Sequence, residues 1–65
     1  MGERLIRIYE IVTEKIGLQG RLELASRTGI SMNEAARIKD TEELVQKFKQ
    51  EAGYIYEKLM KNGRQ

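Results

Sequence analysis

The chain has 65 residues, of which 40% are hydrophobic and 34% are charged, and its formal net charge at pH 7 is +2. This balance is typical of a soluble globular protein, and no apolar run approaches the roughly 18 residues that a membrane span needs. The sequence contains no Cys and no His, so disulfides are excluded and we expect no zinc, haem or other cofactor.

The small size of the chain predicts one domain of marginal stability. A domain of this length buries only about 60% of the surface that its unfolded chain exposes. With disulfides and metals excluded, tight helix packing, a partner or self-association remain, and of these we expect self-association as a homodimer. No secretory or lipid-attachment pattern is recognisable at the start, so we expect a cytoplasmic protein. The hydrophobic spacing predicts an all-α fold, a four-helix domain over residues 1–65.

The first predicted helix runs from about Glu3 to Ile16. Its apolar residues recur at spacings of four, three and four and form one stripe: Leu5, Tyr9, Val12 and Ile16. Ile6 and Ile11 point away from this stripe, on opposite flanks. Either the helix packs on more than one side within the domain, or one flank contacts a second subunit.

Two glycines delimit a short second helix. We expect Gly17 to end the first helix in a left-handed cap. The second helix then spans about Gly20 or Arg21 to Thr28, and Gly29 ends it. The residues expected to be buried are Leu22 or Leu24, together with Ala25.

The third helix begins with a capping box. In the segment Ser31-Met-Asn-Glu34 each of the two outer side chains satisfies a free backbone N–H of the other residue. Ala35 and Ile38 are expected to face the interior.

The fourth and longest helix opens at Asp40 or Thr41, both of which are suitable N-caps. The stripe that follows keeps spacings of four, four, three and four, and Val45 and Tyr56 widen it: Leu44, Phe48, Ala52, Ile55 and Leu59. Gly53 is a candidate for a bend. Tyr54 falls on the side away from the stripe and is a candidate for a contact surface.

The central residues resemble a known DNA-binding motif. The run from Leu24 to Ser31, Leu-Ala-x-Arg-Thr-Gly-Ile-Ser, continued by Ala35-x-Arg37-Ile38, is similar to the helix-turn-helix of phage-repressor-type (lambda-repressor-like) regulators. The resemblance covers about residues 4–38. The chain departs from that family at Arg21, where the family usually has Gln, and in the long helix that follows a tight turn after Ile38.

The resemblance implies a sequence-specific DNA-binding protein, a small transcriptional regulator acting as a dimer on double-stranded DNA. The third helix would lie in the major groove. The implied base contacts are Met32, Asn33 and Ala36. The implied phosphate contacts are Arg21, Arg27, Arg37 and Lys39.

A second interpretation treats the same corner as purely structural. The chain would then be a helical protein–protein interaction or adaptor module that binds no nucleic acid. Its partner or dimer surface would include Ile6, Ile11 and Tyr54. We do not expect an enzyme, because His and Cys are absent and a small helical domain leaves little room for a substrate pocket.

Overall fold

A computed structural model describes residues 1–60, with Met60 described by its backbone alone. The domain predicted over residues 1–65 therefore extends beyond the described residues at 61–65. Four α-helices follow one another: α1 (Glu3–Ile16), α2 (Leu18–Thr28), α3 (Met32–Ala35) and α4 (Glu42–Ile55). Helix α4 runs directly into a π-helical turn, Tyr56–Met60. The small all-α fold is confirmed, and no helix within residues 1–60 is both long enough and apolar enough to cross a lipid bilayer.

The core forms where α1, α2 and α4 pack together. Helix α1 buries Leu5, Tyr9 and Val12 of the predicted stripe, whereas Ile16 is half-buried. The ring of Phe48 from α4 meets the ring of Tyr9 edge-on, with centroids 5.8 Å apart and planes at 73°. Edge-to-face contact is a favoured geometry for two aromatic rings. The buried apolar side chains are Leu5, Tyr9, Val12, Leu24, Ala35, Val45, Phe48, Ala52 and Ile55.

A one-residue corner joins α1 to α2. Gly17 has φ 97° and ψ −166°, so its φ is positive, as expected, but its ψ lies outside the left-handed helical region. Only glycine adopts this combination readily. The backbone N–H groups of Gly20 and Arg21 already bond to the Gly17 carbonyl, so α2 begins at Leu18, two to three residues earlier than predicted.

The buried side of α2 also differs from the predicted one. Gly20, Leu24 and Thr28 lie one turn apart and are buried, whereas Ala25 is half-buried. Leu22, one of the two leucines expected in the core, is 66% exposed. The stripe of α2 thus includes a glycine and a threonine, which hydrophobic spacing does not detect.

Thr41 is the N-cap of helix α4, and its hydroxyl accepts the Leu44 backbone N–H at 3.3 Å. Val45 is buried and Leu44 only half-buried, so the stripe is rotated slightly from the predicted one. The α-helical backbone continues through Gly53, which was a candidate for a bend. The backbone changes from an α-helix to a π-helical turn only at Tyr56, directly after the last α-helical residue.

The glycines of α2 and α4 give a matched pair of substitutions. We expect Gly53→Ala to raise the free energy of unfolding by about 1 kcal/mol, because a Cβ there meets nothing within 4 Å and alanine is the better helix former. We expect Gly20→Ala to lower it by about 1–3 kcal/mol, because its Cβ would lie 2.8 Å from the Ile16 Cβ. Urea denaturation followed by circular dichroism measures both. Changes of the same sign would contradict the packing described for Gly20.

Candidate nucleic-acid interface

A three-residue turn separates α2 from α3. Gly29 occupies the left-handed region, with φ 74° and ψ 11°, and donates its N–H to the Ala25 carbonyl at 2.9 Å. The Thr28 hydroxyl donates to the Leu24 carbonyl at 2.8 Å and accepts the Ile30 N–H at 3.2 Å. The glycine turn was predicted, but the role of Thr28 was not. The sequence feature that could have indicated this role is a threonine directly before the glycine that ends the helix. Threonine hydroxyls often form hydrogen bonds with nearby backbone groups at helix ends.

The turn is also bonded to α1. The hydroxyl of Tyr9 donates to the Ile30 carbonyl, while the ring is fully buried against Phe48. Burial raises the pKa of the Tyr9 phenol, which keeps it protonated and able to donate. The spacing of apolar residues placed Tyr9 in the core but contained no signal for this bond.

Helix α3 has the predicted capping box. The Ser31 hydroxyl accepts the Glu34 N–H at 3.2 Å, and the Glu34 carboxylate accepts the Ser31 N–H at 3.2 Å. The α-helix proper is a single turn, but helical hydrogen bonds continue from the Ala36 N–H to the Met32 carbonyl and from the Ile38 N–H to the Glu34 carbonyl, at 3.2 and 3.1 Å. A helical segment therefore runs from Met32 to about Ile38.

The three predicted base contacts do not share one environment. Asn33 and Ala36 are exposed, whereas Met32 is half-buried and packs against the core. Asn33, Ala36 and Arg37 have the spacing i, i+3, i+4, so they lie on one side of the helical segment. α3 packs chiefly on α1. The exposed side consequently carries an amide, a methyl group and a guanidinium.

Three of the four predicted phosphate contacts are cations without an ion pair in the described part of the chain. Arg37 and Lys39 are exposed and Arg21 is half-buried. Within residues 1–60, none of the three has a carboxylate oxygen within 4.0 Å. Their charges are therefore available to an anionic partner.

Arg27, the fourth, is bound within the fold. Its guanidinium lies 3.3 Å from Glu23 and 3.2 Å from Glu51, and its Cζ lies 5.9 Å from the centre of the Tyr54 ring. Lys58 approaches the same Glu23 carboxylate at 3.5 Å. The cluster joins α2 to α4, so a phosphate would have to compete with two carboxylates for Arg27.

The three residues predicted for a partner surface lie in three different places. Ile6 lines a shallow groove beside Ala36 at the start of α1. Ile11 lines an apolar groove between α1 and α4. Tyr54 lies beneath Arg27. The structure does not bring these residues together, whereas Leu18 and Leu22, which were not predicted, are 66% exposed and one turn apart on α2.

The linker after α3 is held by Arg4. Asp40, a candidate cap for α4, instead accepts the backbone N–H of Arg4 in the first turn of α1 at 3.0 Å. The Arg4 guanidinium donates to the Asp40 carbonyl at 2.7 Å and to the Glu42 carboxylate at 3.1 Å. The backbone hydrogen bond from Arg4 lowers the pKa of Asp40, and the side-chain hydrogen bond from Arg4 lowers that of Glu42. Asp40 thereby caps a helix that begins 37 residues earlier in the chain.

This carboxylate pair predicts a specific loss of stability in acid. Both carboxyls have lower pKa values in the folded chain than their ordinary values of 3.8 and 4.5. Their contribution is complete above those ordinary values and is lost as the pH falls through the lowered ones. We expect Arg4→Gln, which removes the guanidinium but keeps the backbone N–H, to flatten part of the decline in unfolding free energy below about pH 5, chiefly the part that comes from Glu42. Urea denaturation at each pH measures it.

Arg7→Gln is the matched control, because Arg7 lies on the same helix and its ion pair is with Glu10, one turn away. An acid dependence that Arg7→Gln flattens as much as Arg4→Gln does would contradict the assignment to Asp40 and Glu42.

Comparisons with known proteins complete the description of this interface. No family model, no curated protein and no solved structure matches the chain. The helix-turn-helix resemblance therefore depends on the motif residues themselves, and the functional proposal depends on the exposed side of the helical segment after Ser31.

Proposed function

We propose that this chain is a cytoplasmic, sequence-specific DNA-binding protein that inserts α3 into the major groove and regulates transcription. The observation that carries the proposal is the uncovered side of the helical segment from Met32 to about Ile38, on which Asn33, Ala36 and Arg37 are all exposed. A recognition helix must present its outer side chains to base edges while its inner side is held by the domain. Ala35 is fully buried beneath the segment and supplies that inner side.

The proposed contacts follow from the chemistry of the exposed groups. The Asn33 amide can donate to N7 of adenine and accept from its N6 amino group, and the Ala36 methyl suits the methyl group of thymine. Arg37 and Lys39, which are exposed and unpaired within residues 1–60, are proposed to contact phosphates, with the half-buried Arg21 behind them. Met32 contributes at the edge of this surface, and Arg27 joins it only when released from its carboxylates.

A homodimer is part of the proposal. One short helix reads few base pairs, and a two-fold dimer reads two half-sites about one helical turn apart. Because Ile6, Ile11 and Tyr54 lie apart, one of them at most can lie at the centre of a single compact interface.

The dimer has its own test. We expect sedimentation velocity over a range of protein concentrations to show a monomer–dimer equilibrium, and glutamate at one of the three positions to shift it to monomer. A monomer at every concentration, with and without DNA, would contradict the dimer but not the DNA contacts.

DNA binding is tested by titrating a fluorescent duplex of random sequence at about 50 mM and about 150 mM salt. We expect binding that weakens with salt. The double variant Arg37→Ala/Lys39→Ala should reduce the slope of log affinity against log salt by about 0.9 for each phosphate that it leaves without a cation.

The matched control is Lys47→Ala/Lys49→Ala, which removes the same charge from exposed positions on α4. We expect its salt slope to stay at the wild-type value. Asn33→Ala should abolish preference for a duplex obtained by selection over a scrambled one while leaving the slope unchanged. No binding at low salt, or equal reductions of the slope in the two double variants, would refute the proposal.

A second candidate function is favoured by a different observation. Leu18 and Leu22 are each 66% exposed on α2, and no described residue covers them. Exposed leucines one helical turn apart are typical of surfaces that bind other proteins. If random duplex does not bind, the chain is better interpreted as a protein-interaction or adaptor module whose helix-turn-helix is structural.

A further inference from the structure

The peptide group that joins Ile30 to Ser31 leads directly into α3, and both of its hydrogen-bonding atoms have partners. The Ile30 carbonyl accepts the hydroxyl of Tyr9 on α1, and the Ser31 N–H donates to the Glu34 carboxylate at 3.2 Å. A peptide group is planar, so these two bonds together fix how it is rotated between the neighbouring Cα atoms. The direction in which the chain enters α3 is therefore set relative to α1.

Tyr9 is the principal donor to the Ile30 carbonyl. The Thr28 hydroxyl lies 3.3 Å from the same carbonyl, but it has a single hydrogen and lies closer, at 2.8 Å, to the Leu24 carbonyl. The Tyr9 ring is fully buried and edge-on to Phe48, so its hydroxyl is held at one place. A fixed point in the core thus anchors the start of α3.

This anchor matters because the α3 segment is too short to orient itself. The α-helix proper has four residues, and isolated helices shorter than about 12 to 15 residues are marginal in water. Burial of Ala35 holds the segment against the domain, but apolar contact is non-directional. A hydrogen bond to a carbonyl is directional, so the bond from Tyr9 restricts rotation of the segment.

We propose that Tyr9 is a positioning residue for base recognition, whose hydroxyl sets the angle at which Asn33 meets the edge of a base. The inference rests on the DNA-binding function proposed above. A bidentate contact from Asn33 needs two hydrogen bonds within about 2.7–3.2 Å, so a small rotation of the segment loses it. Attraction to phosphates acts over a Debye length of about 8–10 Å and tolerates the same rotation.

Tyr9→Phe removes the hydroxyl and keeps the ring that meets Phe48. We expect the ratio of affinities for a selected and a scrambled duplex to fall about tenfold or more, because one good bidentate contact supplies discrimination of that order. The slope of log affinity against log salt should stay at the wild-type value, since no phosphate contact is lost. Tyr9→para-aminophenylalanine, which restores an N–H donor at the same ring position, should restore the ratio at least in part.

Ile55→Val is the matched control. It removes one buried methyl group from α4, whereas α3 packs chiefly on α1. Loss of one buried methyl group and loss of one hydrogen bond lower stability by similar amounts. We expect the affinity ratio and the salt slope of Ile55→Val to equal the wild-type values. Circular dichroism checks that each variant is folded.

Residual dipolar couplings of the backbone N–H groups measure the positioning without DNA. We expect the couplings of residues 33–38, relative to those of α1, to change in Tyr9→Phe and not in Ile55→Val. Unchanged couplings in Tyr9→Phe would overturn the inference and leave the DNA-binding proposal standing.

Three further results are decisive. An affinity ratio that is unchanged in Tyr9→Phe, or that falls equally in Ile55→Val, would overturn the inference, because recognition would then be independent of the hydroxyl or would follow stability alone. Loss of folding in Tyr9→Phe would overturn it as well, since the whole domain and not the segment would need the hydroxyl. No binding of random duplex by the wild-type chain would instead refute the DNA-binding proposal, on which the role in recognition rests.

Discussion

The contacts of Tyr9 hold the turn between α2 and α3 against the core. Its ring is fully buried at the centre of the core, edge-on to Phe48 of α4, and its hydroxyl donates to the Ile30 carbonyl in the turn between α2 and α3. One side chain therefore connects α1, α4 and the turn that precedes α3. A buried hydroxyl left unpaired costs free energy, so the core and the turn are stabilised together.

The basic residues divide into two groups with different roles. Arg4 and Arg27 are bound by carboxylates from distant parts of the chain, and they join the α3–α4 linker to α1 and α2 to α4. Arg37, Lys39 and Lys49 are exposed and have no such partners within the described residues. A net charge of +2 indicates little by itself, because the charge available to an anionic partner is decided by which cations are already paired.

Local chemistry made part of the candidate site predictable. The capping box at Ser31 and the left-handed Gly29 depend on residues within four positions of one another, and both are present as predicted. The environments of Met32 and Arg27 depend on residues far away in the chain. Met32 packs on the core. The Arg27 guanidinium donates to the carboxylate of Glu51, which lies on α4, 24 residues later in the chain. Neither contact has a signal in the motif.

The sequence alone determined the fold class, the bounds of α1 and most of the core. Hydrophobic spacing reports which side of a helix is apolar, and caps report where a helix begins. Tertiary packing decided that Leu22 is exposed while Gly20 and Thr28 are buried, that Asp40 caps α1 rather than α4, and that Ile6, Ile11 and Tyr54 lie apart. These outcomes depend on the angles at which the helices cross. At a crossing, the neighbours of a side chain belong to a helix far away in the sequence, so a local sequence pattern does not predict them.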